Sequence, residues 1–594
     1  MKRTGLLVAL GAMTALTAPV AVPAAVVATV QPFAARAPES AFSATSASDN
    51  GVAACKRPAP DGRVSTTIHC YRPDDLRSFY GLGPLTTSNE GAGQTIVAVD
   101  AYGSPTAATD LAFFAQAFHG PPPSFETAFP LGSPDYTHAT GNGTGQSGPN
   151  AADSWAGEAN LDVQWAYAMA PKAHIVLLAT PPAETQGVQG LPNLMKAIDW
   201  AIAKYPSGTV FSMSFGTDEQ AFGSKAAAAA QFAKFDATFK RGLAKHDTFF
   251  SSSGDTGSVG VVRSHRASTS GATPEVSYPN VSPYVTSVGD TQVQSGWTWN
   301  PAQDKPFLDT GARNPLCWGW TTGGRTEAVW NESWAGIGTG GGLSTVYGRP
   351  AYPDPVPPVV GSMRGVPDVA WNAAANGGVL VYHTYFPEIE GQPAWAVFGG
   401  TSSSSPQVAA VTAIANQSRA AAQKQPIGDL NSLVYSDTFD RTAAFSDVVP
   451  QTYGTTPSGV LQNNRIWDTD ATGFVTPDPV VGYPTTSGYD LTTGWETPHA
   501  PAHIAQLAKW RGSPSRGPTG LARREGSHRQ RWEPSLSRGW CQASVVFAHC
   551  GGDVDRPVPC GLDQNDGILA MARDRDHVGG GAVAGRTQRE RCSG

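Results

Sequence analysis

The chain has 594 residues, of which 40% are hydrophobic and 15% charged, and its formal net charge is −7. This length and apolar share allow a large core, and the acidic balance excludes the basic face typical of nucleic-acid-binding proteins. Seven cysteines are compatible with an oxidising compartment. Their spacing does not match a zinc site, and Cys55 and Cys70 are close enough in sequence to form a disulfide.

Residues 1–37 predict a signal peptide. Lys2 and Arg3 precede an almost wholly apolar run at 6–27, in the order that export signals show. The latest cleavage motif of small residues is Ala-Arg-Ala at 35–37, and earlier sites near Ala28 also fit. No later apolar run is long enough to span a membrane. The sequence therefore predicts a secreted, extracellular protein with no membrane association after signal cleavage.

Three further regions follow the signal peptide. Residues 38–66 are rich in Ala, Ser, Pro and Gly, which indicates a linker or short pro-segment. Residues 67–509 carry the patterns of an organised domain. Residues 510–594 are rich in Arg and Gly, with 13 Arg against nine acidic residues from position 511 onward. The weak periodicity of this last region predicts a disordered tail.

Short apolar runs alternate with helical patterns in the organised domain. The predicted strands are 95–99, 175–178, 210–215, 249–251 and 284–288, and the predicted helices are 107–118, 191–205 and 226–244. This alternation predicts an α/β domain with a parallel sheet and helices on both faces. Catalytic loops in such sheets gather at the carboxyl ends of the strands.

Ser402 lies where a Gly-Gly turn leads into a small, apolar helical run. Backbone N–H groups at a helix start favour negative charge, so a serine there can act as a nucleophile beside an oxyanion site. Taken alone, a Ser-rich N-cap on an ordinary helix explains the same residues better. The decision therefore depends on whether the chain supplies a base and an oxyanion partner.

Glu158 and Asp162 are the candidate base pair. They are four residues apart in E-A-N-L-D, which places them on one face of a predicted helix, next to apolar residues such as Leu161 and Trp165. Two close carboxyls can share a proton and separate their titrations, as acid–base catalysis requires. The alternative is a pair of solvated acids near a helix N-terminus.

Asp255 follows a predicted strand in the turn S-G-D-T-G. In an acidic, partly dry site its carboxyl could stay protonated and donate a hydrogen bond to an oxyanion, whereas an ordinary turn Asp bonds its own backbone. The Ser-x-Ser-x-Gly pattern at 212–216 can line an extended peptide by backbone pairing, or can be a simple buried strand. Late in the chain, Asp447 and Asp490 stand in loops whose oxygens suit calcium.

Together these segments resemble the sedolisin family of serine-carboxyl peptidases. E-A-N-L-D, S-G-D-T-G and G-G-T-S-S-S-S-P resemble its acid pair, oxyanion turn and nucleophile turn, in order, between about Cys70 and Pro498. D-A-Y-G-S-P-T, Y-P-N-V-S-P-Y-V-T-S-V-G, G-G-G-L-S and R-G-V-P-D-V-A also look like family segments. The resemblance implies a subtilisin-like three-layer α/β fold with a mostly parallel central sheet. It also implies a monomer that acts on protein or peptide substrates.

The resemblance implies acid-active endopeptidase chemistry with four residue roles. Ser402 would attack the peptide carbonyl, and Glu158 would take its proton and return it to the leaving amine. Asp162 would orient Glu158, and Asp255 would stabilise the oxyanion. A carboxylate base remains usable at a pH where histidine is protonated.

The resemblance also implies one structural Ca²⁺. Its ligands would be Asp447, the carbonyls of Val448, Thr486 and Gly488, and Asp490. The family often has glycine where this chain has Thr486, a change that a carbonyl ligand tolerates.

Two alternatives remain open at this point. Sedolisins usually carry a large N-terminal pro-domain, whereas about thirty residues separate the predicted signal cleavage from the first organised segment, too few for a domain. That departure favours a secreted, non-catalytic pseudoenzyme that serves as a binding module. A subtilisin-type peptidase with Asp100 as orienting acid would need a histidine at a Gly-rich helix start, a context that His119 and His138 lack.

Overall fold

The computed structural model describes most of the residues between 70 and 510. The described residues are 31–32, 35–36, 70–134, 136, 151–181, 188, 190–264, 267–299, 320–332, 337–352, 356–375, 377–385, 395–448, 463–465, 467–469, 475–477, 480 and 482–510. All of them belong to one compact unit, residues 1–513. The predicted linker, the tail from residue 511 and most of the signal peptide lie outside the described residues.

The helices of the described residues are given in chain order. They are α1 (Pro73–Phe79), α2 (Ala107–Ala117), α3 (Ala151–Met169), α4 (Leu191–Lys204), α5 (Lys225–Ala244), α6 (Pro357–Val360), α7 (Thr401–Ala421), α8 (Leu430–Val434), α9 (Arg441–Ala444) and α10 (Ala500–Lys509). Short 3₁₀ turns occupy Leu85–Thr87 and Glu219–Phe222.

The strands fall into one large sheet and several small ones. They are β1 (Gln31–Pro32), β2 (Ala35–Arg36), β3 (Cys70–Tyr71), β4 (Thr95–Ala101), β5 (Ser124–Ala128), β6 (His174–Thr180), β7 (Val210–Met213), β8 (Phe215–Asp218), β9 (Thr248–Ser252), β10 (Val259–Ser264), β11 (Ala267–Pro274), β12 (Ser277–Tyr278), β13 (Thr286–Trp299), β14 (Trp320–Val329), β15 (Asn331–Glu332), β16 (Ile337–Gly338), β17 (Gly342–Gly348), β18 (Met363–Val366), β19 (Val369–Asn372), β20 (Gly378–Tyr382), β21 (Trp395–Gly399), β22 (Phe445–Ser446), β23 (Trp467–Thr469), β24 (Val475–Pro477) and β25 (Thr497–Pro498).

The central sheet has the order β14-β13-β9-β7-β4-β6-β5, with β19 also paired to β13. All its pairs are parallel except β13 with β14. Ile96 and Ala98 of β4 pack into one buried cluster, whereas Val97 and Val99 pack into another on the opposite face. Because alternate residues of a strand point to opposite faces, both faces of this sheet are covered by apolar packing. The predicted α/β class and mostly parallel sheet are confirmed.

Two helices bring the candidate catalytic segments together on one face of this sheet. Helix α3 packs against α7, and both contact β4. Helices α4 and α5 pack against each other, α4 against β4 and β6, and α5 against β9. The side chains of α3 that carry the acid pair therefore face the start of α7, where β21 ends.

Two predicted strands differ from the structure. The segment 210–215 is not one strand, because it leaves the sheet at Ser214; β7 pairs within the central sheet and β8 pairs with β12. The strand expected at 284–288 begins at Thr286 and continues to Trp299, since it forms a long antiparallel pair with β14. Periodicity alone could not show a break that is set by tertiary pairing.

Cys70 is disulfide-bonded, and the predicted partner Cys55 lies outside the described residues. Among the described residues, no helix combines the length and apolar composition needed to cross a bilayer.

Candidate active site

Ser402 is the second residue of α7, directly after the strand β21 and the turn at Gly400. Gly400 has φ +89°, a backbone conformation that favours glycine, and its N–H donates to the carbonyl of Ala373 at 2.6 Å. The buried Ser402 hydroxyl donates to the carbonyl of Ser214 at 3.4 Å. The chain thus changes from strand to helix within two residues and presents this hydroxyl at the helix start.

Glu158 and Asp162 lie on α3, and both are completely buried. With Asp100, at the end of β4, they form a cluster in which one carboxyl oxygen of each lies within 4.8 Å of the others. The hydroxyl of Ser214 donates to Asp162 Oδ1 at 2.8 Å. The solvated-acid alternative for this pair is therefore excluded by its burial.

The pKa of each carboxyl in this cluster is raised well above its usual value, and burial is the main cause. The charges of Asp162 and Asp100 raise the pKa of Glu158 further, and Asp100 does the same for Asp162. Neither oxygen of Glu158 has a hydrogen bond of ordinary geometry among the described residues. The Ser402 hydroxyl is nevertheless close enough to lower the pKa of Glu158, an effect smaller than the rise that burial and the neighbouring carboxylates cause. A carboxylate with a raised pKa is a stronger base, directed here at a serine hydroxyl.

Asp255 lies in the turn after β9 and reaches the residue that precedes Ser402. Its Oδ1 accepts the N–H of Thr401 at 2.8 Å and the hydroxyl of Thr401 at 2.9 Å. The side chain keeps some contact with solvent, yet burial, with a smaller contribution from the charge of Glu332, raises the pKa of Asp255 to about 7. Below that pH the carboxyl is protonated and can donate a hydrogen bond beside the nucleophile.

The residues predicted to hold calcium lie in one neighbourhood. Asp447 accepts the hydroxyl of Ser487 at 2.6 Å and the N–H of Gly488 at 3.2 Å. Asp490 is buried, and its Oδ2 accepts the N–H of Thr486 at 2.8 Å. The structure therefore places both carboxylates against the loop whose carbonyls were predicted as ligands.

Glu496 is a third carboxylate beside this loop. Its Oε2 accepts the N–H of Val448 at 2.8 Å and the hydroxyl of Thr493 at 3.1 Å, and Thr493 also donates to Asp490. Its Oε1 is buried without a hydrogen-bond partner among the described residues. Burial and the charges of Asp490 and Asp447 raise the pKa of Glu496 to about 11. Because a divalent cation would relieve this repulsion and satisfy the orphaned oxygen, the donor set fits calcium.

Comparison with known proteins gives the family of this chain. The model of the Subtilase family, peptidase S8, matches residues 139–455, more than half of the chain. This chain belongs to the subtilase family. Within that family, this subtilase is similar to kumamolisin of Bacillus sp. (strain MN-32), with 30% identity over 308 residues that cover 50% of this chain and 44% of kumamolisin.

Two other relatives agree with that placement. Physarolisin of Physarum polycephalum is 28% identical over 37% of this subtilase and 35% of its own length. Tripeptidyl-peptidase 1 of Canis lupus familiaris is 25% identical over 76% of this subtilase and 68% of its own length. The matched stretch thus spans less than half of kumamolisin and of physarolisin. These relatives, with the motifs above, place the subtilase among the sedolisins.

A solved structure supports the same fold. Pseudomonas sedolisin, a serine-carboxyl proteinase complexed with two molecules of pseudo-iodotyrostatin, superposes with a TM-score of 0.51 at 22% sequence identity. The match covers 74% of this chain and 98% of the Pseudomonas protein. The predicted subtilisin-like fold is therefore confirmed.

Sequence reasoning missed one residue of this subtilase's site and gave two others different roles. Glu496 was not singled out, Ser214 was considered only as part of the Ser-x-Ser-x-Gly pattern that could line a peptide, and Asp100 was considered only as the orienting acid for a histidine. In the structure Asp100 faces two carboxyls instead, and His119 is exposed just beyond α2; His138 lies outside the described residues. An acid that directly follows the apolar run at 96–99 was the available signal for Asp100.

Proposed function

We propose that this chain is a secreted, monomeric, acid-acting serine-carboxyl endopeptidase that hydrolyses peptide bonds in proteins. The observation that carries the proposal is the buried cluster of Asp100, Glu158 and Asp162 directed at the hydroxyl of Ser402. Such a cluster gains nothing for stability, because burying like charges without partners is costly. Its arrangement next to a serine at a helix start is what a carboxylate-based acyl transfer requires.

The chemical steps follow from these positions. Ser402 Oγ attacks the peptide carbonyl carbon while Glu158 takes the hydroxyl proton, which its raised pKa favours. Asp162 is fixed by Ser214 and holds Glu158 in place by sharing the proton of the cluster. Protonated Asp255 donates to the developing oxyanion. Glu158 then protonates the leaving amine, and water releases the acyl group by the reverse sequence.

The pH dependence distinguishes this scheme from a histidine-based one. Asp255 donates a hydrogen bond only while protonated, so activity should fall as pH rises through about 7. A subtilisin-type mechanism would instead gain activity in that range as its histidine loses a proton. An acidic optimum for peptide cleavage is therefore the expected profile.

The test compares wild type with Ser402→Ala and Glu158→Gln on a denatured protein substrate between about pH 3 and 7, where carboxyls titrate. Both variants should lose cleavage by orders of magnitude, whereas the neighbouring Ser403→Ala should keep it. Full activity in Ser402→Ala would exclude the proposal. A folded wild-type protein that cleaves nothing would favour the pseudoenzyme that serves as a binding module.

We also propose that one structural Ca²⁺ binds at Asp447, Asp490 and the carbonyls of Val448, Thr486 and Gly488. The buried, unpartnered Oε1 of Glu496 supports a cation there. Bound calcium would hold the loop between β24 and β25 against Asp447 and takes no part in bond cleavage. Chelation should therefore lower the melting temperature before it changes the chemistry of Ser402.

A further inference from the structure

Two chain segments lie beside Ser402 where strands of the central sheet end. Strand β7 ends one residue before Ser214, whose carbonyl accepts the Ser402 hydroxyl. Strand β9 ends at Ser252, whose hydroxyl donates to the carbonyl of Thr401 at 2.9 Å. Because β7 and β9 are hydrogen-bonded neighbours in the sheet, the residues that follow them begin side by side, next to the nucleophile.

A third segment connects these two. Strand β12 runs antiparallel to β8, and the hydroxyl of Ser277 donates to Asp218 Oδ1 at 3.1 Å. Just after β12, Asn280 Nδ2 donates to the carbonyl of Ser253 at 3.2 Å. We call the region bounded by the three segments the side pocket; its residues are 214–218, 252–255 and 277–280.

The proposed mechanism directs the acyl residue of the substrate, whose carbonyl is attacked, toward the side pocket. Glu158 must reach the leaving amine, so the leaving half of the substrate lies toward α3. Asp255 binds the oxyanion and directly follows Gly254. The side chain of the acyl residue therefore extends away from α3, between β8 and the turn at Gly254. Gly216 and Gly254 have no side chains that could fill this region.

Two polar atoms of the side pocket lack hydrogen-bond partners among the described residues. They are Ser253 Oγ and Asn280 Oδ1, and both side chains are at most 5% exposed. Because Asn280 Nδ2 donates to Ser253, the amide oxygen of Asn280 is directed elsewhere. Buried polar atoms are nearly always paired, and an unpaired acceptor is costly. A bound side chain that donates hydrogen bonds would satisfy both atoms.

Acidic side chains lie at the same place. Asp218 and Glu275 approach the backbone of Gly260 together, since a Cβ at Gly260 would lie 2.7 Å from Asp218 Oδ2 and 3.0 Å from Glu275 Cγ. Glu275 Oε2 is buried without a hydrogen-bond partner among the described residues. Burial and the charges of Asp218 and Glu219 raise the pKa of Glu275 to about 8, while Lys225 acts on Glu219. A positive charge bound near Asp218 and Glu275 would relieve this repulsion.

We propose that the side pocket is the subsite for the acyl residue and that it takes arginine or lysine. The inference rests on the proposed peptidase function and names its substrate class. Ser253 and Asn280 accept hydrogen bonds from the basic group, and Asp218 and Glu275 balance its charge. Arginine fits better than lysine, because the planar guanidinium offers five donors in fixed directions. The acceptors of Ser253 and Asn280 do not titrate, so the preference persists at acidic pH, where Glu275 holds a proton.

The first experiment compares three peptide substrates that differ only in the acyl residue, which is arginine, citrulline or norleucine. Citrulline keeps the hydrogen-bond donors without the charge, and norleucine keeps only the aliphatic chain. At about pH 5, where Asp255 is protonated, kcat/KM should fall from arginine to citrulline and again to norleucine, by about tenfold or more at each step. Equal values for the three peptides would overturn the proposal.

The second experiment assigns the two parts of the preference to residues. Asn280→Leu removes the acceptor and should lower the ratio of kcat/KM for citrulline over norleucine by about tenfold or more. Asp218→Asn removes a charge and should lower the ratio for arginine over citrulline instead. Ratios cancel any general loss of kcat in a variant. Ratios that stay at the wild-type values in both variants would overturn the proposal.

Asn416→Leu is the matched control for Asn280→Leu. Asn416 is also buried, and its Nδ2 donates to the carbonyl of Gly208 at 3.3 Å, but it lies near the other end of α7 from Ser402. Both ratios should therefore stay at the wild-type values in Asn416→Leu. If Asn280→Leu does not fold, Ser253→Ala removes the other unpaired atom and should lower the same ratio for citrulline over norleucine.

A digest of a denatured protein separates this inference from the proposed function. The cleaved bonds, mapped by mass spectrometry, should lie mainly after arginine and lysine. Cleavage without regard to the acyl residue would overturn only the inference. A folded enzyme that cleaves neither the denatured protein nor any of the three peptides would overturn the proposed function as well.

Discussion

Replacing Asp255 with asparagine tests the oxyanion assignment directly. Asp255 Oδ1 accepts two hydrogen bonds from Thr401, at 2.8 and 2.9 Å. An asparagine oxygen can keep both bonds, while its NH₂ group replaces the protonated carboxyl as donor. Because the amide does not titrate, Asp255→Asn should keep cleavage within about tenfold of wild type at acidic pH. The loss of activity as pH rises through about 7 should disappear.

The expected loss of kcat depends on the hydrogen bond that the Asp255 carboxyl donates to the oxyanion. Removing one oxyanion donor costs about 10²–10³ in kcat, so Asp255→Ala should lose that amount relative to wild type below about pH 7, where the carboxyl is protonated, and less above it. Stability gives a second readout. A carboxyl whose pKa rises from 3.8 to about 7 on folding stabilises the protein fully below about pH 4 and loses this contribution up to about pH 7. The loss is at most about 4 kcal/mol, and less because the side chain is partly exposed.

The assay is a pH profile of kcat and KM on a peptide substrate, together with melting temperatures from pH 4 to 8. Wild type should lose stability between about pH 4 and 7 and activity as pH rises through about 7, whereas Asp255→Asn should lose less of each. The reasoning is refuted if Asp255→Asn keeps the wild-type alkaline limb. It is refuted equally if Asp255→Ala is fully active.

Three further outcomes are expected. Asp100→Asn removes a negative neighbour of Glu158 and should therefore lower the pKa of Glu158. The acidic side of the kcat–pH profile should move to lower pH, with little change in KM. If that side of the profile does not move, Asp100 has a structural role only. Glu496→Gln should raise by about 10–100-fold the calcium concentration needed for half of the calcium-dependent rise in melting temperature. If that concentration is the same as for wild type, Glu496 lies outside the cation site. Gly400→Ala puts a Cβ at φ +89° and should cost about 1–3 kcal/mol in unfolding free energy while lowering kcat, and a neutral result would contradict the strain argument.

The sequence predicted the central sheet well, because most residues in the middle of its buried strands are apolar. Thr95–Ala101 and Ala107–Ala117 lie within two residues of their predicted bounds. The break at Ser214 was not predictable from apolar pattern, since it results from Ser214 binding Asp162 and Ser402. Local sequence does not encode contacts made across about 50 and 190 residues of chain.

The site shows the same limit. The spacing of Glu158 and Asp162 determined that they share a helix face, but not that Asp100 would join them from a different strand. The run R-G-V-P-D-V-A was noticed only as a motif, and in the structure Arg364 and Asp368 form a buried two-point ion pair at 2.6 Å. Such pairs depend on which side chains the fold brings together after the strands have paired.

Strand β19 connects two regions that were described separately. The N–H of Ala370 donates to the carbonyl of Glu496 at 3.1 Å, and three residues later the carbonyl of Ala373 accepts the N–H of Gly400. Strand β19 and the residue that follows it therefore hold Glu496, beside the loop that carries Asp490, at one end and the turn before Ser402 at the other. Segments that share a rigid strand tend to open together in native-state hydrogen exchange. Removal of the proposed Ca²⁺ should therefore speed amide hydrogen exchange at the turn around Gly400, although that turn is far along the chain from Asp447 and Asp490.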